Sequence, residues 1–398
     1  MHIVHIEDFF HPEAGYQLNI ISKYMVHMGH KVSIITACLD KVPQSLTSFF
    51  ERENIEKKDL EFCKKYGVGI FRIPLMGFVS GRAIFSKKIF EKILELNPDV
   101  VYVHGNDTLT AMRYLLLRKR MNYPYLMDNH MLEMASNNRF RKVFRAFYKF
   151  FFTPIIVKEN IQVIRTQNDP YVQNHLGIPL VQAPWISVGS DTMLFHPDAI
   201  GKKKFRKENA IDEDAFVVLY AGKLDESKGG KILAHAIRDG FDISREIVFV
   251  IVGNTIGTYG ADVENEFGRS SNRILRFPTQ KYVDLPAFYQ GADIVVFPRQ
   301  CSLSFYDAQA CGLPVVFENN SINVERAKYG NACTFRAGDA VDLREKIIQM
   351  AKLDKSYYCE MAKNGVSLVQ NFYDYKDISK RYMELIEQAV KQYGLLKD

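Results

Sequence analysis

Two lysines one loop apart are the residues of this sequence best suited to hold an anion. In Ala221-Gly222-Lys223-Leu224-Asp225-Glu226-Ser227-Lys228-Gly229 a strand-like run ends at the glycine and a helix-like run begins after Gly229. A glycine lets the backbone turn tightly, a helix start gathers unpaired N–H groups, and two ammonium groups neutralise a diphosphate. The same residues suit a solvated turn with surface lysines, and the spacing is not that of a Walker loop. A second stretch, Arg299 to Val316, holds Asp307 in mid-helix behind a serine-bearing start at Ser302, Leu303 and Ser304, with Gly312 and Pro314 closing the helix. An exposed helical aspartate is the plainer reading of Asp307 taken alone. His130 follows Asp128-Asn129 at a strand end, where a histidine is as readily a satisfied structural residue. The one D-x-D, Asp212-Glu213-Asp214, stands in a charged loop ahead of a strand and reads as a solvated turn, so no metal site is expected there.

Those residues need elements to position them, and the chain supplies two series. Ile3–Ile6, Val32–Thr36, Ile70–Ile73, Val100–Val103, Tyr125–Met127 and Val163–Ile164 are short apolar runs separated by helical-period segments. Val217–Tyr220, Ile247–Val252, Ile274–Phe277, Ile294–Phe297 and Val315–Phe317 form the second series, with helices at Lys228–Arg238, Leu285–Gln290, Leu303–Cys311 and Ala340–Leu353. Near-continuous apolar strands alternating with helices predict parallel sheets covered on both faces. Two Rossmann-like doubly wound α/β domains are expected: 1–186, a linker at 187–204, 205–374, and a final helix at 375–398 returning to the first domain. Ligands are expected at the carboxyl ends of the strands, in an interdomain cleft.

Composition narrows the class. The 398 residues are 47% hydrophobic and 25% charged, which excludes disorder, collagen and coiled coil. A formal charge of +6 suits an anionic ligand or surface. The six cysteines lie far apart without a C-x-x-C pair, so neither a disulfide framework nor a structural metal site is indicated. No run reaches the length of a membrane span, and the N-terminal strand lacks the flanks of a secretory signal. A cytoplasmic location is expected. The basic residues form no nucleic-acid recognition motif, and no nucleic-acid partner is expected.

At this point the motifs resemble a known family: retaining glycosyltransferases of the GT-B fold, family 4 type, within the group 1 family. Its G-[RK]-L-x-x-x-K-G loop is matched by Gly222, Lys223, Leu224, Lys228 and Gly229, and its E-A-x-A-x-G-x-P-V-V helix by Asp307 to Val316 with Asp for Glu. His11-Pro12-x-x-Gly15, Gly29-His30-x-Val32, Pro98 to Gly105, Asp128-Asn129-His130, Trp185-x-x-x-Gly189-x-Asp191 through Pro197, and Ala292 to Pro298 follow in the family's order across nearly the whole chain. Three departures stand out. Arg299 occupies the place of the first of two acids, Gln300-Cys301-Ser302-Leu303 replaces a glycine-rich turn, and Gly15-Tyr16 replaces a glycine pair.

The resemblance implies transfer of a sugar from a nucleotide diphosphate sugar, UDP favoured over GDP, with retention and without metal or other cofactor. The acceptor it implies is a saccharide or lipid-linked saccharide in surface polysaccharide synthesis. Lys223 and Lys228 would stabilise charge growing on the leaving diphosphate. It further implies that Asp307 receives the ribose hydroxyls, that Arg299 and Ser302–Ser304 face phosphate or sugar with Gly222 beside them, that Phe277 ends the strand holding the base, that His130 contacts the donor sugar, and that Gly15 allows a close phosphate approach. An epimerase is disfavoured by the same motifs. A weak or inactive subunit that binds a partner glycosyltransferase or glycan remains the alternative, because Arg299 replaces an acid.

One further stretch carries information. Between residues 139 and 152, Phe140, Val143, Phe144, Phe147, Tyr148 and Phe151 share helical spacing while Arg141, Lys142, Arg145 and Lys149 populate the other face. Such a helix suits the headgroup region of an anionic membrane, on the inner face of the cytoplasmic membrane, or a core-facing helix with a solvated basic side.

Overall fold

The computed structural model describes residues 1–42, 52–132 and 139–395. The chain forms two compact units, Met1–Val188 together with the chain from Lys376, and Gly189–Tyr375. The first holds β1 (His2–Ile6), β2 (Lys31–Ala37), β3 (Val68–Ile73), β4 (Leu75–Val79), β5 (Arg82–Phe85), β6 (Val100–Val103), β7 (Tyr125–Asn129) and β8 (Val163–Arg165). Six of these make a parallel sheet of order β3-β2-β1-β6-β7-β8, and β4 and β5 pair as an antiparallel hairpin. The second unit repeats the plan with β9 (Phe216–Ala221), β10 (Ile247–Val252), β11 (Arg273–Phe277), β12 (Ile294–Phe297), β13 (Val315–Glu318) and β14 (Ala332–Phe335), in the parallel order β11-β10-β9-β12-β13-β14. Each unit is thus a Rossmann-like α/β layer.

The central strands β1, β6, β7, β9, β10 and β12 are buried at every residue, which is why they read as unbroken apolar runs. The edge strand β11 is only half-buried throughout and alternates Arg273 and Arg276 with apolar residues. One apolar cluster of the first unit holds Tyr114, Tyr148 and Phe85, and one of the second holds Phe249, Phe335 and Leu343. In the first unit the helix Tyr375–Leu395 is anchored by Tyr382, whose hydroxyl receives the Gln17 amide and donates to the Ile186 carbonyl at 3.3 Å.

One sequence expectation needs correction, and two sets of elements lie outside the expectations. The 187–204 linker is helical from Ala199, in the helix Ala199–Glu208: Asp198 caps it by accepting from the Ile200 N–H at 2.9 Å, and Arg206 and Phe205 are buried. Its pattern was masked because the inward Arg206 pairs with Asp293 at 2.7 Å and so reads as a surface charge. The hairpin β4–β5 turns on Ser80 and Gly81, both at positive φ, the geometry that suits a two-residue hairpin turn. The helices Gly257–Gly268, Ser321–Ala327 and Lys355–Leu368 and strand β14 complete the second unit.

Candidate functional site

In each sheet the strand order reverses once, between β1 and β6 in the first unit and between β9 and β12 in the second. Loops leaving the carboxyl ends on either side of such a reversal diverge and leave a crevice. Gly15, the lysine loop, and Arg299 to Asp307 lie on elements that flank these two reversals, whereas His130 follows β7, one strand further, and Phe277 ends the edge strand β11.

In the second unit the loop after β9 and the loop after β12 lie against each other. Gly229 sits at φ +75°, and a Cβ there would come within 2.9 Å of the Arg299 Cβ and 3.1 Å of the Pro298 Cβ. Gly253, after β10, is equally confined, because its Cβ would collide with the Gly222 carbonyl oxygen. Asp225 shapes the lysine loop by accepting from the Lys228 N–H at 3.0 Å and the Ser227 hydroxyl at 2.6 Å. The Tyr220 hydroxyl donates to the Lys223 carbonyl from beneath. Burial lowers the Lys223 ammonium, and nearby Lys228 lowers it further against the pull of Asp225. Lys228 is lowered first by burial and also by Arg326, while Cys301 and Asp225 oppose. Lys223 is exposed and Lys228 half-buried, so of the two it is Lys228 whose ammonium is the less solvated and gains more from an anion.

The loop after β12 holds the remaining candidates. Arg299 is exposed, and its guanidinium donates to the Glu226 carbonyl at 3.1 Å, tying the two loops together. Gln300 stands at φ +58°, held by its N–H donating to Glu318 at 3.2 Å and its carbonyl accepting from Asn323 at 3.3 Å. Ser302 gives its carbonyl to Arg326 at 2.9 Å, Leu303 is exposed, and Ser304 opens the helix Ser304–Ala310. Asp307 is buried: Oδ1 accepts from the Ser190 hydroxyl at 2.7 Å and lies 3.5 Å from the Tyr282 hydroxyl. Burial and the neighbouring Asp191 raise it to about 7 against those two hydroxyls. It is therefore not an exposed helical acid. The ring of Phe277 packs on Phe288 and Phe205, with centroids 5.0 and 6.5 Å away, as part of a wall at the end of β11.

In the first unit, Gly15 is exposed in the loop between β1 and the helix Gln17–His27. His130 directly follows β7 with 43% of its side chain exposed. Sequence reasoning passed over what lies beneath it. Asp128, fully buried, accepts on Oδ2 from the Tyr102 hydroxyl at 3.0 Å and His104 Nδ1 at 2.7 Å, and on Oδ1 from the Gly105 N–H at 2.7 Å, with His130 Nε2 at 3.2 Å. Burial alone would raise its carboxyl, but His130 and His104 hold it well below the usual range. Glu7 and Asp8, at the end of β1, are raised chiefly by burial, Asp8 to about 7. Asp8 accepts from the Ala83 N–H at 3.1 Å and so fastens the β4–β5 hairpin. His104, Asp128 and His130 bring ligand atoms within 4.8 Å of one another, the distance at which three groups share an ion. Asp128 already has four donors around its two oxygens, and the trio is organised as a hydrogen-bond cluster. Arg326, Glu318 and Asn323 in the second unit were likewise missed, since each acts through a backbone partner that no motif announces.

Elsewhere in the first unit a cavity of about 280 Å³ lies between the amino ends of β7 and β8 and the helix Tyr375–Leu395, lined by Pro124, Tyr125, Ile161 and Tyr393. It opens at the opposite edge of the sheet from His130. The helix Arg141–Phe151 buries Tyr148 and half-buries Phe144, whereas Phe140, Val143, Phe147, Phe150 and Phe151 are exposed. No helix among the described residues is long and apolar enough to cross a membrane.

With this geometry in hand, residues 201–368 match the family described as glycosyl transferases group 1. The chain is 26% identical over 210 residues to the putative glycosyltransferase YtcC of Bacillus subtilis (strain 168), a match covering 48% of this chain and 51% of that protein. This chain therefore spans about half the length of that relative. Among solved structures it is similar to a glycosyltransferase from Rickettsia africae, with TM-score 0.75 at 16% identity over 98% of each chain. It is also similar to Anabaena Alr3699/HepE in complex with UDP and glucose, with TM-score 0.74 at 15% identity over 98% of this chain and 100% of that one. The second unit carries the group 1 glycosyltransferase pattern, and the fold is that of the GT-B glycosyltransferases.

Proposed function

We propose that this protein is a retaining, metal-independent glycosyltransferase of family 4 type. It moves a sugar from a nucleotide diphosphate sugar, UDP favoured, to a saccharide or lipid-linked saccharide acceptor in glycoconjugate synthesis. The observation that carries this reading is the pair Lys223 and Lys228, set one loop apart after β9 at the strand-order reversal of the second unit, on a backbone shaped by Asp225 and Gly229. As the glycosidic C–O bond breaks, negative charge grows on the β-phosphate, and cations already in place favour that state over the bound donor. Bound UDP in Alr3699/HepE supports the choice of base. The test is the melting temperature of the purified protein with UDP, GDP, ADP, CMP and dTDP, each with and without magnesium. A metal-independent rise with one nucleotide, lost in Lys223→Ala, is expected. No rise with any of them overturns the reading.

A second reading, a subunit with little activity of its own, is favoured by Arg299. Its guanidinium is occupied with the Glu226 carbonyl where active relatives are expected to offer an acid. Donor hydrolysis or transfer by the isolated chain separates the two.

The same proposal includes an anionic membrane surface as a partner. Its support is the helix Arg141–Phe151, whose Phe140, Val143 and Phe150 are 69–75% exposed beside basic residues. Lys149 donates to the Asn174 carbonyl at 3.0 Å and Arg145 stacks on Tyr171, so the rings rather than these two cations carry the contact. Replacing Phe147, Phe150 and Phe151 by Ser should leave the melting temperature within a few degrees while abolishing sedimentation with anionic liposomes. Unchanged sedimentation removes the membrane from the proposal.

A further inference from the structure

The hydrogen bonds around His130 have one arrangement in which every donor meets an acceptor. Nδ1 lies 3.3 Å from the Thr166 hydroxyl oxygen, and that hydroxyl spends its single proton on the Asn129 carbonyl at 3.1 Å. With that proton on Asn129, Thr166 accepts from His130 Nδ1–H. Nε2 lies 3.2 Å from Asp128 Oδ1, an ionised oxygen that only accepts. In that arrangement both ring nitrogens are donors, as in an imidazolium.

The remaining members of the cluster are consistent with one charge there. His104 Nδ1 lies 2.7 Å from Asp128 Oδ2, and its Nε2 lies 3.0 Å from His5 Nδ1. His5 Nε2 is buried and has no partner among the described residues, a position that suits a bare lone pair better than an N–H. His5 is fully buried, and burial first of all holds it well below its ordinary value and so neutral. The Tyr102 hydroxyl and the Gly105 N–H take the other acceptor positions of Asp128. The carboxylate is thereby immobilised by groups from β6 and the turn after it, and it holds His130 in turn.

We infer that Asp128, with Thr166, is the positioning residue of the first unit. It keeps His130 as an oriented imidazolium that offers substrate a fixed positive charge and has no lone pair with which to act as a general base. This rests on the proposed glycosyltransferase reading for the place of His130 in the reaction, though not for its protonation. The groups facing the ring are Asp128 on β7, His104 after β6, Glu7 after β1 and Asp107 in the loop after β6. Burial lowers His130, but Asp128, Glu7 and Asp107 outweigh it and the net direction is upward.

The experiment is imidazole ¹⁵N–¹H NMR of the full chain, with the His130 resonances identified by their loss in His130→Gln. Expected is a doubly protonated His130 at pH 7, with a titration midpoint above that of an ordinary histidine. Asp128→Asn should move the midpoint down by about one pH unit or more, a tenfold loss of proton affinity. Where Asp128→Asn fails to fold, Thr166→Val supplies the same test by removing the Nδ1 acceptor, and Thr166→Ser should restore the wild-type midpoint. A neutral His130 at pH 7, or a midpoint unmoved in both Asp128→Asn and Thr166→Val, overturns the inference. The readout needs no turnover, so failure of the nucleotide-binding test leaves it standing, and its own failure leaves nucleotide binding untouched. If activity is found, kcat should fall in Asp128→Asn with KM for the donor little changed, and the pH–rate profile should carry no basic limb from His130.

Discussion

The two strand-order reversals solve the same positional problem with opposite materials. In the second unit the site is made of loop residues after β9 and β12: cations on a backbone shaped by Gly229 and Gly253, with one acid, Asp307, held by two hydroxyls. In the first unit it is made of strand ends, with Asp128 inside β7 and four donors converging on its carboxylate. A loop site of this kind adapts to a ligand and gives up little fold stability when altered. A strand-end cluster is pre-organised, and its charge cannot be removed without leaving buried donors unpaired. The difference teaches that catalytic power and fold stability are expected to separate along the chain, with the first concentrated in one unit and the second in the other.

The largest effects should come from forcing each half of that comparison. Lys228→Ala should lower kcat by about 10²–10³, the loss seen when one preorganised charge stabiliser is removed, with little change in melting temperature. Activity assays with donor in excess check it. Asp128→Ala should do the converse and cost on the order of 3–5 kcal/mol, because His104, His130, Tyr102 and Gly105 lose their common acceptor. Asp307→Ala, compared at pH 5 where that carboxyl is protonated, should cost about 1–3 kcal/mol through the Ser190 and Tyr282 hydroxyls it leaves unpaired. Urea unfolding of the two variants decides it. Equal losses would break the contrast between the units.

The pH dependence sharpens the same contrast. The Asp307 carboxyl is at about 7 in the folded chain against 3.8 for the free group, so between those values the folded state binds more protons than the unfolded one. Stability from this group is present below about pH 4 and declines as pH rises to 7. Asp128 has the opposite sign: its folded carboxyl is depressed, so its contribution holds at neutral pH and is lost only in strong acid. Asp307→Asn should therefore be more stable than the natural protein at pH 8, by up to about 4 kcal/mol before solvent relaxation is counted, and nearly equal to it at pH 4. Melting curves across that range check it. A gain independent of pH would mean that packing rather than ionisation is responsible.

How much of this was legible in the sequence follows from where each residue sits. Gly222, Lys223, Lys228 and Asp307 stand in a loop and a short helix whose local spacing is nearly the whole of the geometry, and both central sheets announced themselves as apolar runs because they are covered on two faces. Asp128 was visible only as a neighbour of His130, because a carboxylate inside a strand looks like an interruption until Tyr102 and Gly105 are brought to it from a strand 25 residues away. Arg206 hid the helix Ala199–Glu208 for a related reason: a buried arginine paired with a distant Asp293 has the spelling of a surface charge. The hairpin β4–β5 did carry a signal, Ser80-Gly81 between apolar runs, which the expectation of an all-parallel domain passed over.

The smallest effect belongs to Gln300, and it bears on whether the second site is strained as well as adaptable. A glutamine at φ +58° costs on the order of 1 kcal/mol relative to an ordinary backbone conformation, and Glu318 and Asn323 hold it there through its N–H and carbonyl. Glycine accepts that conformation without strain but adds chain entropy to the unfolded state, so the two effects partly cancel. Gln300→Gly should be stable to within about 1 kcal/mol of the natural protein, on the favourable side, whereas Gln300→Val should lose about 1–2 kcal/mol because a β-branched residue tolerates this region least. Parallel denaturant curves for the two variants measure the difference. If valine is tolerated as well as glycine, the turn after Arg299 relaxes freely, and the strain is not what sets the place of Ser302 beside Arg326.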